Sequence, residues 1–100
     1  MGVLTKYGFE VDRDIVLADI NRLTNQLWKL IPMREHDENW LGQLNTVIIE
    51  IVGLHNLLID NLNYLILLSK LEGLKVTDLE FSIYRKTVFE SISLLREIRL

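Results

Sequence analysis

WLGQLNTVIIEIVGLHNLL, residues Trp40 to Leu58, places large apolar side chains at Trp40, Leu44, Val47, Ile51, Leu54 and Leu58. Steps of four and three keep these six on one side of an α-helix. Leu41, Ile48, Val52 and, just beyond the stretch, Ile59 make a second apolar row beside the first. A helix that only covers a core needs one stripe, so two rows predict the central helix of a bundle, with apolar surface to spare.

Upstream, Val16, Ile20, Leu23, Leu27 and Leu30 repeat the same spacing, with Asp19, Arg22, Asn25, Gln26 and Lys29 on other faces. This predicts an amphipathic first helix. It should start near Asp12 or Asp14, whose carboxylates suit the positive end of the helix dipole. Pro32 should end it, because a proline lacks the backbone N–H and disfavours helical geometry in the residue before it. The polar link MREHDEN follows, with Asp37 as the expected N-cap of the central helix. Before all of this, Val3, Thr5, Tyr7, Phe9 and Val11 alternate with Leu4, Lys6, Gly8 and Glu10. That period of two predicts an extended arm, lying across the bundle or pairing with its copy in a second subunit.

Downstream, Asp60, Asn61 and Asn63 dilute the apolar pattern and suggest a tight link or kink. LNYLILLSKLEG then reads as a short, nearly all-apolar third helix, closed by Gly73 in the left-handed conformation. Thr77 and Glu80 have the spacing of a capping box, and Val76 is placed to staple onto Phe81, so a fourth helix is expected from Thr77. Phe81, Tyr84, Val88, Leu95 and Ile98 continue its apolar face. The expected fold class is all-α: a compact up-and-down bundle of about four helices, at about 12–31, 37–59, 62–72 and 77–99, with a short extended N-terminal arm over 1–11.

The chain of 100 residues is long enough for one core and too short for two. Its net charge of −3 argues against a general affinity for nucleic acid, which depends on a positive field. Residues 1–60 hold 5 basic and 9 acidic groups and residues 61–100 hold 6 and 5, so no basic tail compensates. The absence of cysteine excludes disulfide scaffolds, zinc ribbons and thiol nucleophiles. Glu50, His55 and Asp60 interrupt the longest apolar run, so a membrane span is not expected. MGVLTK has Lys6 where a myristoylation signal needs Ser or Thr, and no leader pattern is visible; a cytoplasmic protein is expected.

Candidate chemistry is sparse. His36 sits among Glu35, Asp37 and Glu38, but four consecutive residues point in different directions, and the paired Glu-x-x-His motifs of a diiron bundle are missing. Glu50 and His55 lie about 140° apart around a helix, so they do not share a face. None of the serines sits in a Gly-x-Ser-x-Gly elbow. No metal, cofactor or catalytic set is therefore expected. One constellation merits attention. Arg34, the N-terminus of the central helix and Trp40 could receive a phosphate or nucleotide, with Arg85 and Lys86 as a more distant basic patch.

The surplus apolar surface is the feature that folding explains least. It predicts a non-enzymatic helical interaction module that self-associates as a dimer or higher homo-oligomer, with Leu41, Ile48, Val52, Ile59, Leu65 and Leu68 at the interface. The alternative is a small-ligand protein that binds or sequesters a nucleotide or other anion at the Arg34 to Trp40 corner or at a subunit interface.

Overall fold

A computed structural model describes residues 2–58, 62–76 and 78–98. The elements are β1 (Gly2–Leu4), β2 (Glu10–Asp12), α1 (Arg13–Glu35), α2 (Trp40–Leu57), α3 (Leu62–Gly73) and α4 (Phe81–Arg96). The helices form a ring: α1 packs on α2 and α4, and α3 packs on the same two. This is the up-and-down bundle that the spacing of apolar residues predicts. The molecule measures 43 × 21 × 19 Å. Its length is set by α1, whose 23 residues span about 34 Å.

The core is the inner face of all four helices. Leu23, Leu27 and Leu30 of α1 meet Leu44, Val47 and Ile51 of α2, Tyr64, Leu67 and Leu71 of α3, and Tyr84, Val88 and Leu95 of α4. From the first row of α2, Trp40, Leu44, Val47 and Ile51 are buried, Leu58 is buried at the C-cap, and Leu54 is half-buried. The second row is divided. Ile48 lies inside the core at 7% exposure, Leu41 is half-buried, Val52 is exposed, and Ile59 lies outside the described residues. Ile48 is thus a packing residue, not the surface residue its row suggested. The contact of α2 with α3 broadens the buried arc of α2 on that side.

The N-terminal arm is a hairpin rather than a single extended strand. β1 and β2 pair antiparallel, Val3 opposite Val11. Their connection is a turn with the Gly8 N–H donating to the Thr5 carbonyl (3.2 Å) and Gly8 at φ +85. Glycine takes that left-handed conformation without the Cβ clash other residues incur, so the chain folds back here while Val3 and Val11, opposite each other, stay on one face. Val3 enters the core, and the Lys6 N–H donates to the Leu57 carbonyl (2.9 Å), fastening the hairpin to the end of α2. Within the chain, β1 finds its strand partner in β2.

Helix ends differ from the sequence reading in four places. α1 begins behind Asp12, whose carboxylate accepts from the Asp14 N–H (2.8 Å), but it runs through Pro32 to Glu35. In the last turn Pro32 removes a single intrahelical donor, while its carbonyl still accepts from the His36 N–H (2.9 Å). The helix then closes in a Schellman motif. The Glu38 N–H reaches the Met33 carbonyl (2.7 Å) and the Asp37 N–H the Arg34 carbonyl (3.1 Å), with Asp37 left-handed at φ +55. Asp37 therefore ends α1 instead of capping α2; that cap is Asn39, whose Oδ1 accepts from the Gly42 N–H (3.1 Å).

α3 ends through the bonds Leu74 N–H to Leu71 carbonyl (3.1 Å) and Lys75 N–H to Glu72 carbonyl (3.2 Å), without a left-handed Gly73. α4 starts at Phe81, one turn after the expected Thr77, which lies outside the described residues. The Leu79 carbonyl accepts from Arg34, and the first acceptor of the α4 ladder is the Glu80 carbonyl. Glu80 makes no side-chain cap; its carboxylate accepts from the Ser82 hydroxyl (3.0 Å).

Candidate functional site

Arg34 and Trp40 do come together, and Tyr84 of α4 joins them. The last turn of α1 carries Arg34 and the first residue of α2 is Trp40, so the short link between these helices holds the two side by side. The Arg34 guanidinium carbon lies 4.5 Å from the Tyr84 ring centroid and 5.5 Å from that of Trp40. The two rings meet edge to face at 5.4 Å. Nη2 of Arg34 donates to the Leu79 carbonyl, and the Tyr84 hydroxyl donates to the Leu30 carbonyl at 3.3 Å. A delocalised cation over two ring faces is favourable, more so when partly desolvated. Burial pushes the Tyr84 hydroxyl pKa up to about 12, with the Arg34 charge pulling the other way.

This corner is closed. Trp40 is 9% exposed, so its ring is packed in the core rather than offered for stacking. The start of α2 already spends the Gly42 N–H on Asn39. One donor in the corner is left over: Nη1 of Arg34 is buried and has no hydrogen-bond partner. Arg85 belongs to another cluster. Its guanidinium carbon lies 5.2 Å from the Phe89 ring, which in turn meets Trp28 of α1 edge to face at 5.0 Å. Lys86 is exposed on α4. Trp28 and Phe89 escaped the sequence reading because neither falls on the repeating apolar seams.

Two more polar groups are buried without partners at the α2–α3 side. These are His55 Nδ1 and the Tyr64 hydroxyl, whose rings are 5.5 Å apart. Burial raises the Tyr64 pKa. Among the described residues, no three His, Asp or Glu side chains converge as a metal site, and no helix is long and apolar enough to cross a membrane.

The outer surface holds what the core leaves over. Ile49 (70% exposed) and Val52 (37%) lie on α2, and Leu65 (55%) and Ile66 (38%) on α3. Helical geometry sets Val52 and Leu65 on the flanks of the α2–α3 contact, with Ile49 and Ile66 further out. Leu41 and Leu68 are half-buried between them and the core. On the other side of α2, Asp19, Arg22 and Leu23 of α1 and Glu50, Gly53, Leu54 and Leu57 of α2 line a groove of about 220 Å³. Its rim is tied by Arg22, which donates to Glu50 (2.8 Å) and lies 3.5 Å from Asp19. No protein-family model, curated protein or solved structure matches this chain.

Proposed function

We propose that the protein is a non-enzymatic, cytoplasmic helical interaction module whose first partner is a second copy of itself. The observation that carries this reading is the apolar outer face of α2 and α3, where Ile49, Val52, Leu65 and Ile66 are exposed on adjacent helices. Large apolar side chains grouped in this way mark protein contact surfaces, whereas single exposed ones are ordinary. Covering them on a symmetric partner is the commonest solution for a small chain. The N-terminal hairpin does not serve that purpose within one copy, since these four residues remain exposed with the hairpin docked. Size exclusion with light scattering, repeated on dilution to low micromolar, tests the reading. A mass of at least twice 11.7 kDa is expected, and 11.7 kDa at every concentration would refute it.

A second reading rests on the unpartnered Nη1 of Arg34. An anion reaching it would complete the guanidinium's hydrogen bonding and stabilise the α1–α2 corner, as a nucleotide or inorganic phosphate does when it binds only the native state. Phosphate or nucleotide should then raise the melting temperature of the wild type but not of Arg34→Met. Equal shifts in both proteins, or none in either, would dismiss this reading.

A further inference from the structure

Within a single copy, Gly53 has no packing requirement. It lies inside α2, a Cβ built there meets nothing within 4 Å, and its φ is not positive. Glycine weakens a helix interior relative to alanine because it has more backbone freedom to lose. What it offers in return is close approach by another backbone.

Two neighbouring features specify which backbone. Ile49, one turn before Gly53, projects into solvent with 70% of its surface exposed. Leu54 and Leu57, with Leu23 of α1, wall the groove of about 220 Å³ that opens beside Gly53. One patch thus carries both a knob and a hole. That is the condition for isologous pairing, in which a surface meets its own copy and residue i touches j as j touches i.

Building on the self-association proposed above, we infer that two copies pair through α2 in an antiparallel crossing centred on Gly53, each seating its Ile49 in the groove of the other. In such a crossing, the residue four before Gly53 on one helix stands level with the residue four after it on the other, both about 6 Å from the crossing point. The partner's Ile49 therefore arrives at Leu57, the apolar end of the groove. Charge permits the approach. Arg22 stands between Asp19 and Glu50 at the rim, so each copy presents both signs to the other and no single-sign face is opposed by itself.

Gly53→Ala and Gly53→Gln separate the demands of the fold from those of the pairing. In one copy the added side chain enters open space and favours the helix, so the diluted protein should unfold at the same or higher denaturant concentration. In the pair it holds the two helices apart, and the dimer Kd from dilution light scattering should rise at least tenfold. Because the chain has no cysteine, Gly53→Cys introduces a single thiol next to its symmetry mate and should oxidise to a covalent dimer, whereas Ser93→Cys on α4 should not. A dimeric wild type whose Kd is unchanged by both Gly53→Ala and Gly53→Gln, yet raised by Leu65→Asp, would overturn the α2 crossing and leave self-association standing. A wild type that is monomeric at every concentration would overturn both.

Discussion

Asp37 pays a conformational penalty at the C-terminus of α1. It is the one non-glycine residue with positive φ among the described residues, at 55°, and it closes the Schellman motif that glycine usually closes. Asp37→Gly should relieve the Cβ clash and raise stability by about 0.5–1 kcal/mol, net of the added freedom of the unfolded chain. Denaturant titration should give a higher midpoint at unchanged slope; a lower midpoint would show that the carboxylate contributes more than the backbone loses. Tyr84 supports a second prediction, in pH. Its native pKa of about 12 lies above the ordinary tyrosine value, so its contribution is complete below about pH 10, where the unfolded hydroxyl is also protonated. Between pH 10 and 12 the unfolded chain loses that proton first, and stability should fall by an amount on the order of 2–3 kcal/mol. The difference in unfolding free energy between wild type and Tyr84→Phe, followed from pH 8 to 11.5, isolates this group from the lysines. Parallel curves would mean that Tyr84 titrates as if exposed.

At the scale of elements, the sequence was legible where side-chain spacing alone decides the outcome. The first apolar row of α2 marked its core-facing side, with Ile51 at 0% exposure in its middle, but α2 is not the central helix that two rows predicted: the four helices form a ring in which each packs on two others. Ile51→Ala should therefore cost about 2–5 kcal/mol, through lost burial and the cavity left behind. A cost below about 0.5 kcal/mol in equilibrium unfolding would mark Ile51 as peripheral and show that this row of α2 does not face the core. Element ends were less legible because they depend on partners distant in sequence or on backbone geometry. Alternation over residues 3–11 looked like one strand, since period two does not reveal that Gly8 inserts a left-handed residue and folds the segment back. Pro32 resembled a stop signal, yet a proline so close to a helix end removes only one bond. The capping-box spacing of Thr77 and Glu80 placed the start of α4 one turn early; Thr77 lies outside the described residues, and the helix begins at Phe81. Contacts distant in sequence also shape the candidate site, where Arg34 donates to the Leu79 carbonyl, 45 residues away. Spacing brought Arg34 and Trp40 together, but only the fold adds Tyr84 and closes the corner.

For the whole molecule, the decisive matter is which apolar residues belong to the core and which remain for a partner. Ile48 and Val52 stand one helical turn apart in the same row, but the structure buries Ile48 to 7% exposure and leaves Val52 37% exposed. Leu65, at 55%, is the matching exposed residue on α3. A carboxylate at each position should therefore fail in a different way. Ile48→Asp puts a group that prefers to be charged into a tightly packed interior without a partner, and should unfold the chain or lower its stability by several kcal/mol. Its helical circular dichroism should fall together with any association. Leu65→Asp places the charge in water when the chain is alone and should leave the thermal unfolding of the diluted protein almost unchanged. If the contact surface of the proposed pair reaches the α3 flank, the charge is desolvated there and the midpoint of assembly should move to higher concentration. Measuring helicity and light-scattering mass on the same samples distinguishes folding from association. If Leu65→Asp unfolds the chain, Leu65 belongs to the core. If it leaves both helicity and assembly untouched, the α3 flank lies outside the contact surface, and association would have to rest on α2 alone.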